Sequence, residues 1–283
     1  MDQKIINLYD QYTHSQLTRK EFMKRLAMLA GSTAAATALL PLLQNNYAAA
    51  APFQSGDITS EDITYPGVDG DVKAVLAKPK GKSGIGGVVV IHENRGLNSH
   101  IIDVTKRVAA EGFVALGVDA LSPFGGTPAD EDKGRELIGK LDMEKTVGNY
   151  MNGLDFLRDL GSTNGNVGCV GFCWGGAMAG RLAVNDPELQ ASVAYYGGQP
   201  DAVDVPKIKA SLMLHYAALD ERINAGVPAY EKALKANGID YQLFMYEGVN
   251  HAFNNDTSPT RYDEAAAKLA WERTIGFLKN KLG

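Results

Sequence analysis

Cysteine is nearly absent: 283 residues carry two, Cys169 and Cys173. Two thiols four positions apart in a glycine-rich stretch make no disulfide framework, and no Cys/His spacing resembles a zinc site. No metal is therefore expected. A strong charge of either sign is also missing. The formal net charge is −5 at pH 7, without the basic footprint of a nucleic-acid binder. His92-Glu93 has no second histidine four residues on, so the metalloprotease pattern H-E-x-x-H is absent. The one long apolar stretch, residues 26–43, is interrupted by Gly31, Ser32, Thr33 and Pro41, which makes a poor permanent membrane span. No internal repeat occurs, and no linker composition appears inside 55–283. With 45% hydrophobic and 22% charged residues, the composition is that of a soluble globular protein long enough for one large domain.

From Ile58 onward, strand and helix patterns alternate. Residues 62–65 and 72–77 alternate apolar and polar as strands, joined by a turn at Val68-Asp69-Gly70-Asp71. Val88-Val89-Val90-Ile91 is a continuous apolar run of the kind buried on both sheet faces. A helix capped by Asn98 or Ser99 is predicted over 100–111, then a strand over 113–118. A Pro/Gly loop spans 121–130, and helices are predicted near 131–140 and 143–160. Further strands are predicted over 167–172, 192–196, 212–216 and 241–246. Helices are predicted over 175–184, 226–237 (stopped by Gly238) and 262–281. This order implies an α/β class with a mostly parallel sheet and helices on both faces.

The chemistry concentrates at Gly171-Phe172-Cys173-Trp174-Gly175-Gly176. A short apolar strand leads into it and an Ala/Met/Leu-rich helix leaves it, so a single reactive side chain sits at a strand-to-helix turn. This is the layout of the nucleophile elbow G-x-S-x-G, with cysteine in place of serine. Glycines without a Cβ let strand and helix approach, and the helix N-terminus favours a thiolate. A nucleophile needs a base, and the base needs an orienting acid. Asp220 follows the strand containing His215, and His251 lies on a loop after the strand ending at Tyr246. Both positions fall at the C-terminal sheet edge, in the chain order nucleophile, acid, histidine. His215 lies inside an apolar strand and is expected in the core, whereas His14 and His100 carry no signal.

Four stretches together resemble the dienelactone hydrolase family: Gly171-Phe172-Cys173-Trp174-Gly175-Gly176, His92-Glu93-Asn94-Arg95-Gly96, Tyr195-Tyr196-Gly197 and Asn250-His251-Ala252-Phe253. The resemblance spans roughly 55–283. It implies a single α/β-hydrolase domain over 51–283, with a Cys173–His251–Asp220 triad acting on small esters or lactones and no cofactor. It implies that Glu93 sits beside Cys173 and controls its ionisation. An oxyanion hole is expected from the backbone N–H groups of Asn94 and Trp174. Tyr195, Tyr196, Arg95, Arg222 and Arg261 are candidate substrate-binding residues. Where the family carries arginines for a substrate carboxylate, this chain has Ala120-Leu121-Ser122-Pro123-Phe124-Gly125 and Asn255. It is therefore not expected to be tuned for a carboxylated lactone. Two other functions compete: a serine-type esterase relative or peptidase, which Cys173 disfavours, and a redox-responsive or binding protein in which Cys173 is oxidised. The latter does not require Asp220 and His251.

Residues 1–50 read separately. Thr18-Arg19-Lys20-Glu21-Phe22-Met23-Lys24, then the apolar run, then Tyr47-Ala48-Ala49-Ala50-Ala51-Pro52 follow the charged, apolar, small order of an export signal. The pattern is similar to a twin-arginine signal, with Lys20 at the second arginine. Export, with a periplasmic location, is the expectation. The alternative is a cytoplasmic protein that keeps a helical N-terminal extension, packed at a place the sequence does not specify.

Overall fold

The computed structural model describes residues 1–15, 17–47 and 53–283. Val88, Val89, Val90 and Ile91 are fully buried at the centre of an eight-stranded sheet, as the unbroken apolar run demands. The strands are β1 (Ile58–Pro66), β2 (Asp71–Pro79), β3 (Ile85–Ile91), β4 (Val114–Val118), β5 (Thr163–Phe172), β6 (Ala191–Tyr195), β7 (Ser211–Ala217) and β8 (Tyr241–Tyr246). Their spatial order is β1-β2-β4-β3-β5-β6-β7-β8. The β1–β2 and β2–β4 pairs are antiparallel, and all others are parallel. β1 is longer than its alternating sequence suggested. It is an edge strand, and its exposed Ser60, Glu61 and Asp62 break up the period there.

Helices cover both faces. α4 (Ser99–Ala110) and α10 (Glu264–Leu282) pack on one, through Ile101, Val104, Val108, Ile275 and Leu278. α6 (Met143–Asp159), α7 (Trp174–Asn185) and α9 (Val227–Ala236) pack on the other, through Tyr150, Leu154, Met178, Leu182 and Leu234. Two short helices complete the domain, α5 (Glu131–Ile138) and α8 (Glu221–Asn224). The second had no signature in the sequence because four residues carry no periodicity. Caps fall where polar residues precede the periodic runs: the Asn98 side chain accepts from the Ile101 N–H, and Asp263 accepts from the Ala266 N–H.

Residues ahead of the domain form α1 (Gln3–His14), α2 (Arg19–Ala30) and α3 (Thr33–Leu43), capped by Asp2, Thr18 and Ser32. They close on a core of their own, with Tyr9, Tyr12, Phe22, Leu26, Ala36 and Leu43 buried. The residues that carried the export pattern have structural partners: Arg19 pairs with Asp132 at 2.8 Å, and Phe22 stacks on Tyr12. Of the small-residue stretch 47–52, residues 48–52 lie outside the described residues. Among the described residues, no single helix is long and apolar enough to cross a membrane; α2 and α3 pass together by length and composition but are bent by 110°.

Candidate active site

The turn from β5 into α7 places Cys173 as the residue before the helix, at φ 57°. A side chain at that φ is strained, and surrounding packing must hold it there. Four glycines do so by close approach. A Cβ on Gly171 would fall on the Gly175 carbonyl, and one on Gly175 would fall on the Ile91 and His92 carbonyls. One on Gly176 would meet the Tyr195 carbonyl, and one on Gly197 the Gly176 backbone. The Cys173 N–H donates to the Tyr195 carbonyl at 3.0 Å, which ties the elbow to β6. Among the described residues, three non-glycine residues have positive φ: Cys173, Tyr196 at 40° and Ala252 at 64°. All three surround one site.

His251, beside Ala252, reaches Asp220 through its Nδ1, 2.5 Å from Oδ2. Both side chains are buried. Asp220 Oδ1 accepts the Ile223 N–H at 3.2 Å, so the same carboxylate caps α8 and fixes the imidazole. With its Nδ1 committed to Asp220, His251 leaves Nε2 as an acceptor, and that buried atom has no hydrogen-bond partner. A ring nitrogen of His251 lies within 4.8 Å of Cys173 Sγ. The three residues singled out from the sequence are thus brought together. Glu93 is buried beside them. Its Oε2 accepts from Asn255 Nδ2 at 2.9 Å, while Oε1 has no partner. Trp174 is the first residue of α7, where backbone N–H groups have no helical acceptor. Asn94 borders the same recess, and its side chain donates to the Thr13 carbonyl at 2.8 Å.

One close neighbour of Cys173 had no signature in the sequence. His14, at the end of α1, places Nε2 at 3.1 Å from Cys173 Sγ. Its Nδ1 donates to the Asp10 carbonyl at 2.9 Å, and the Asp10 carboxylate Oδ1 lies 3.0 Å away. The His14 and His251 rings meet edge to face, with centroids 4.6 Å apart. Burial opposes a charged His14, but the charges of Cys173 and Asp10 outweigh it and raise its pKa above the ordinary imidazole value. Asp10 is likewise desolvated, yet His251, His14 and Arg222 hold its carboxyl far below the usual range. Cys173, His14 and His251 make one set of convergent donors among the described residues. Three donors fall short of a four-ligand structural zinc site but equal the number a catalytic zinc takes; His14 Nε2 is engaged with Cys173 Sγ and His251 Nδ1 with Asp220.

A recess of about 780 Å³ opens over Cys173, bordered by His14, Asn94, Trp174, Tyr196, Arg222 and His251. Behind His14, a cavity of about 250 Å³ is lined by Asp10, Asp220, Arg222, Asn250, His251 and Arg261. Of the two candidate tyrosines, Tyr196 borders the recess. Tyr195 turns into the core, bonded to Thr274 at 2.7 Å and packed on His215, so its expected substrate role is replaced by a packing one. The arginines divide as well. Arg95 is buried and engaged by Glu131 and the Tyr9 hydroxyl. Arg222 pairs with Asp10 at 3.3 Å. Arg261 bonds Ser258 and Asn45 and lies over the Tyr9 ring. His215 is a core residue as expected: it bonds Tyr246 and Thr274, and burial, with Arg273 nearby, lowers its pKa to about 3. His92 stacks on Trp174, and its ring nitrogens are used by the Glu93 carbonyl and the Ala120 N–H.

The model of the dienelactone hydrolase family matches residues 72–282, and a second family model, YqhI-like, matches residues 1–31. Protein usf of Aquifex pyrophilus is 35% identical over 222 residues, covering 75% of this chain and 94% of its own. A Salmonella typhi protein provisionally assigned as a carboxymethylenebutenolidase is 30% identical over 236 residues, covering 78% and 87%. Among solved structures, a Klebsiella pneumoniae protein provisionally assigned as a dienelactone hydrolase superposes with a TM-score of 0.71. It is 26% identical and covers 77% of this chain and 97% of its own.

Proposed function

The chain belongs to the dienelactone hydrolase family and is a hydrolase of that type, and from that premise we propose that it cleaves small esters or lactones through a cysteine acyl-enzyme. The observation that carries this is the strained Cys173 at the α7 N-terminus, with the buried His251–Asp220 pair beside it and the His251 Nε2 unpartnered. The Cys173 thiolate attacks the carbonyl carbon, and the C–O bond to the leaving group breaks as the S–C bond forms. His251 then takes a proton from water, whose oxygen attacks the thioester and releases Cys173. Asp220 holds the His251 tautomer. The Trp174 and Asn94 N–H groups are the donors for the oxyanion. Glu93, with a bare buried oxygen next to the site, is placed to influence the ionisation of Cys173 through its charge. Export to the periplasm stays a proposal resting on the charged, apolar, small order of residues 18–52, and the role inferred below for His14 requires that residues 1–14 are retained on the working enzyme.

Turnover of a small aryl ester is the test. It is expected to vanish in Cys173→Ala and to fall by a factor of roughly 10²–10⁴ in His251→Ala, the usual contribution of a general base. Full activity in both variants would overturn the reading. A redox role in place of catalysis would leave no esterase activity in the intact enzyme.

A further inference from the structure

We propose that His14, held by Asp10, is a second catalytic histidine, supplied by the N-terminal helix, which takes the Cys173 proton while His251 serves water. The inference rests on the cysteine-hydrolase reading above. The observation behind it is that Cys173 Sγ bonds to His14 Nε2 at 3.1 Å. His251 Nε2, the expected partner, makes no hydrogen bond.

The geometry around His14 resembles that around His251. His251 Nδ1 bonds the Asp220 carboxylate; His14 Nδ1 bonds the Asp10 main-chain carbonyl, with the Asp10 carboxylate 3.0 Å away, so in each ring Nε2 is the acceptor left for the thiol. Sγ–H carries one proton, and two Nε2 atoms compete for it. The imidazoles lie edge to face at 4.6 Å, where two imidazolium charges would repel. His14 holds that proton as the hydrogen-bonded partner. His251 Nε2, without a hydrogen-bond partner, is left to serve water. The other groups facing the pair are Asp10 and Arg222, which neutralise each other, the carboxylates of Asp220 and Glu93, and Arg261 at the cavity wall. The raised pKa of His14 is consistent with an imidazolium beside a thiolate.

α1 is built to hold this position. The Asn94 side chain bonds the Thr13 carbonyl, Arg135 bonds the Tyr12 carbonyl, and Gln3 reaches Asn250 next to His251. The proton balance closes. In acylation, the Sγ proton passes to His14 Nε2. The thiolate attacks the carbonyl carbon, the C–O bond breaks, and His14 returns the proton to the leaving oxygen. In deacylation, water gives a proton to His251 Nε2 as its oxygen attacks, the C–S bond breaks, and the proton returns to the thiolate.

The test compares full-length His14→Gln and Asp10→Asn with the unchanged protein, each checked for an unchanged melting transition. Two readouts are followed: the pH profile of Cys173 alkylation by iodoacetamide, and the single-turnover acylation and deacylation rates with an aryl ester. In His14→Gln, the alkylation profile is expected to move to higher pH and acylation to slow by roughly 10²-fold or more, with deacylation little changed. Asp10→Asn is expected to do the same more weakly, and it serves as the test if His14→Gln melts early. An unshifted profile with unchanged acylation would overturn the proposal. So would faster turnover, since that would make α1 a shield over the nucleophile, and so would a working enzyme whose N-terminus begins after residue 14. Loss of activity in Cys173→Ala alongside an unaffected His14→Gln would remove this inference and leave the cysteine-hydrolase reading standing.

Discussion

Single residues decide both the chemistry and its pH response. Cys169 and Cys173 are both free and buried, yet their surroundings differ. Burial in β5 pushes the Cys169 thiol up to about 12, whereas Cys173 has a helix N-terminus and two histidines within reach. The histidines also set opposite stability slopes. His215 is buried neutral, with its pKa lowered to about 3. The unfolded chain therefore binds a proton from about pH 6.5 downward while the folded one does not, and stability falls as pH drops toward 3, by on the order of 4 kcal/mol. The pKa of His14 is raised, so its contribution is complete below about pH 6.5 and is lost as pH rises through its folded value. Urea titrations across pH are expected to show both limbs, with the alkaline limb flattened in His14→Gln. A curve still rising as pH falls from about 6.5 toward 3 would contradict the His215 assignment. Cys173, Asp220 and His251 were legible in the sequence because each follows a strand in a fixed order. His14 was not: it lies 159 positions from Cys173, and an Asp/His pair four apart on a helix reads as a solvated face.

At the scale of elements, the elbow works because α7 starts against the sheet with no side chains between. A Cβ on Gly175 would fall on the Ile91 and His92 carbonyls, backbone atoms that cannot move aside as a flexible side chain can. Gly175→Ala is expected to destabilise the fold by roughly 1–3 kcal/mol, read as a lower denaturation midpoint, and to misplace Cys173 and cut activity with it. A fully stable, fully active Gly175→Ala protein would show that the close approach is dispensable. Most strands and helices of the domain were legible from hydrophobic period and caps, but β1 and β5 each begin four residues before the expected start. The N-terminal helices were not legible as a docked unit. Their apolar residues face one another, and a short apolar stretch behind basic residues has the same pattern whether it packs in a protein or enters an export path.

At the scale of the molecule, the charges around the recess argue for neutral substrates. The stretch after β4 has no basic residue, and Asn255 bonds Glu93. Arg95 and Arg222 are each committed to a carboxylate, Glu131 and Asp10. Arg261 alone of the three pairs with no acid among the described residues. Each charged hydrogen bond to a substrate carboxylate that the site does not make forgoes roughly 1.5–3 kcal/mol. Two of them lower kcat/KM by roughly two to four powers of ten. A matched neutral ester is therefore expected to outperform a carboxylated lactone. The opposite preference, lost on Arg261→Ala, would identify Arg261 as the anion holder.

The most direct test of the central claim is to trap the acyl-enzyme. The His251→Ala protein, mixed with a small aryl ester and quenched, is expected to gain one acyl mass on the peptide carrying Cys173 and none on Cys169. Quenched protein with no acyl mass on Cys173, in a sample that still releases product, would contradict it.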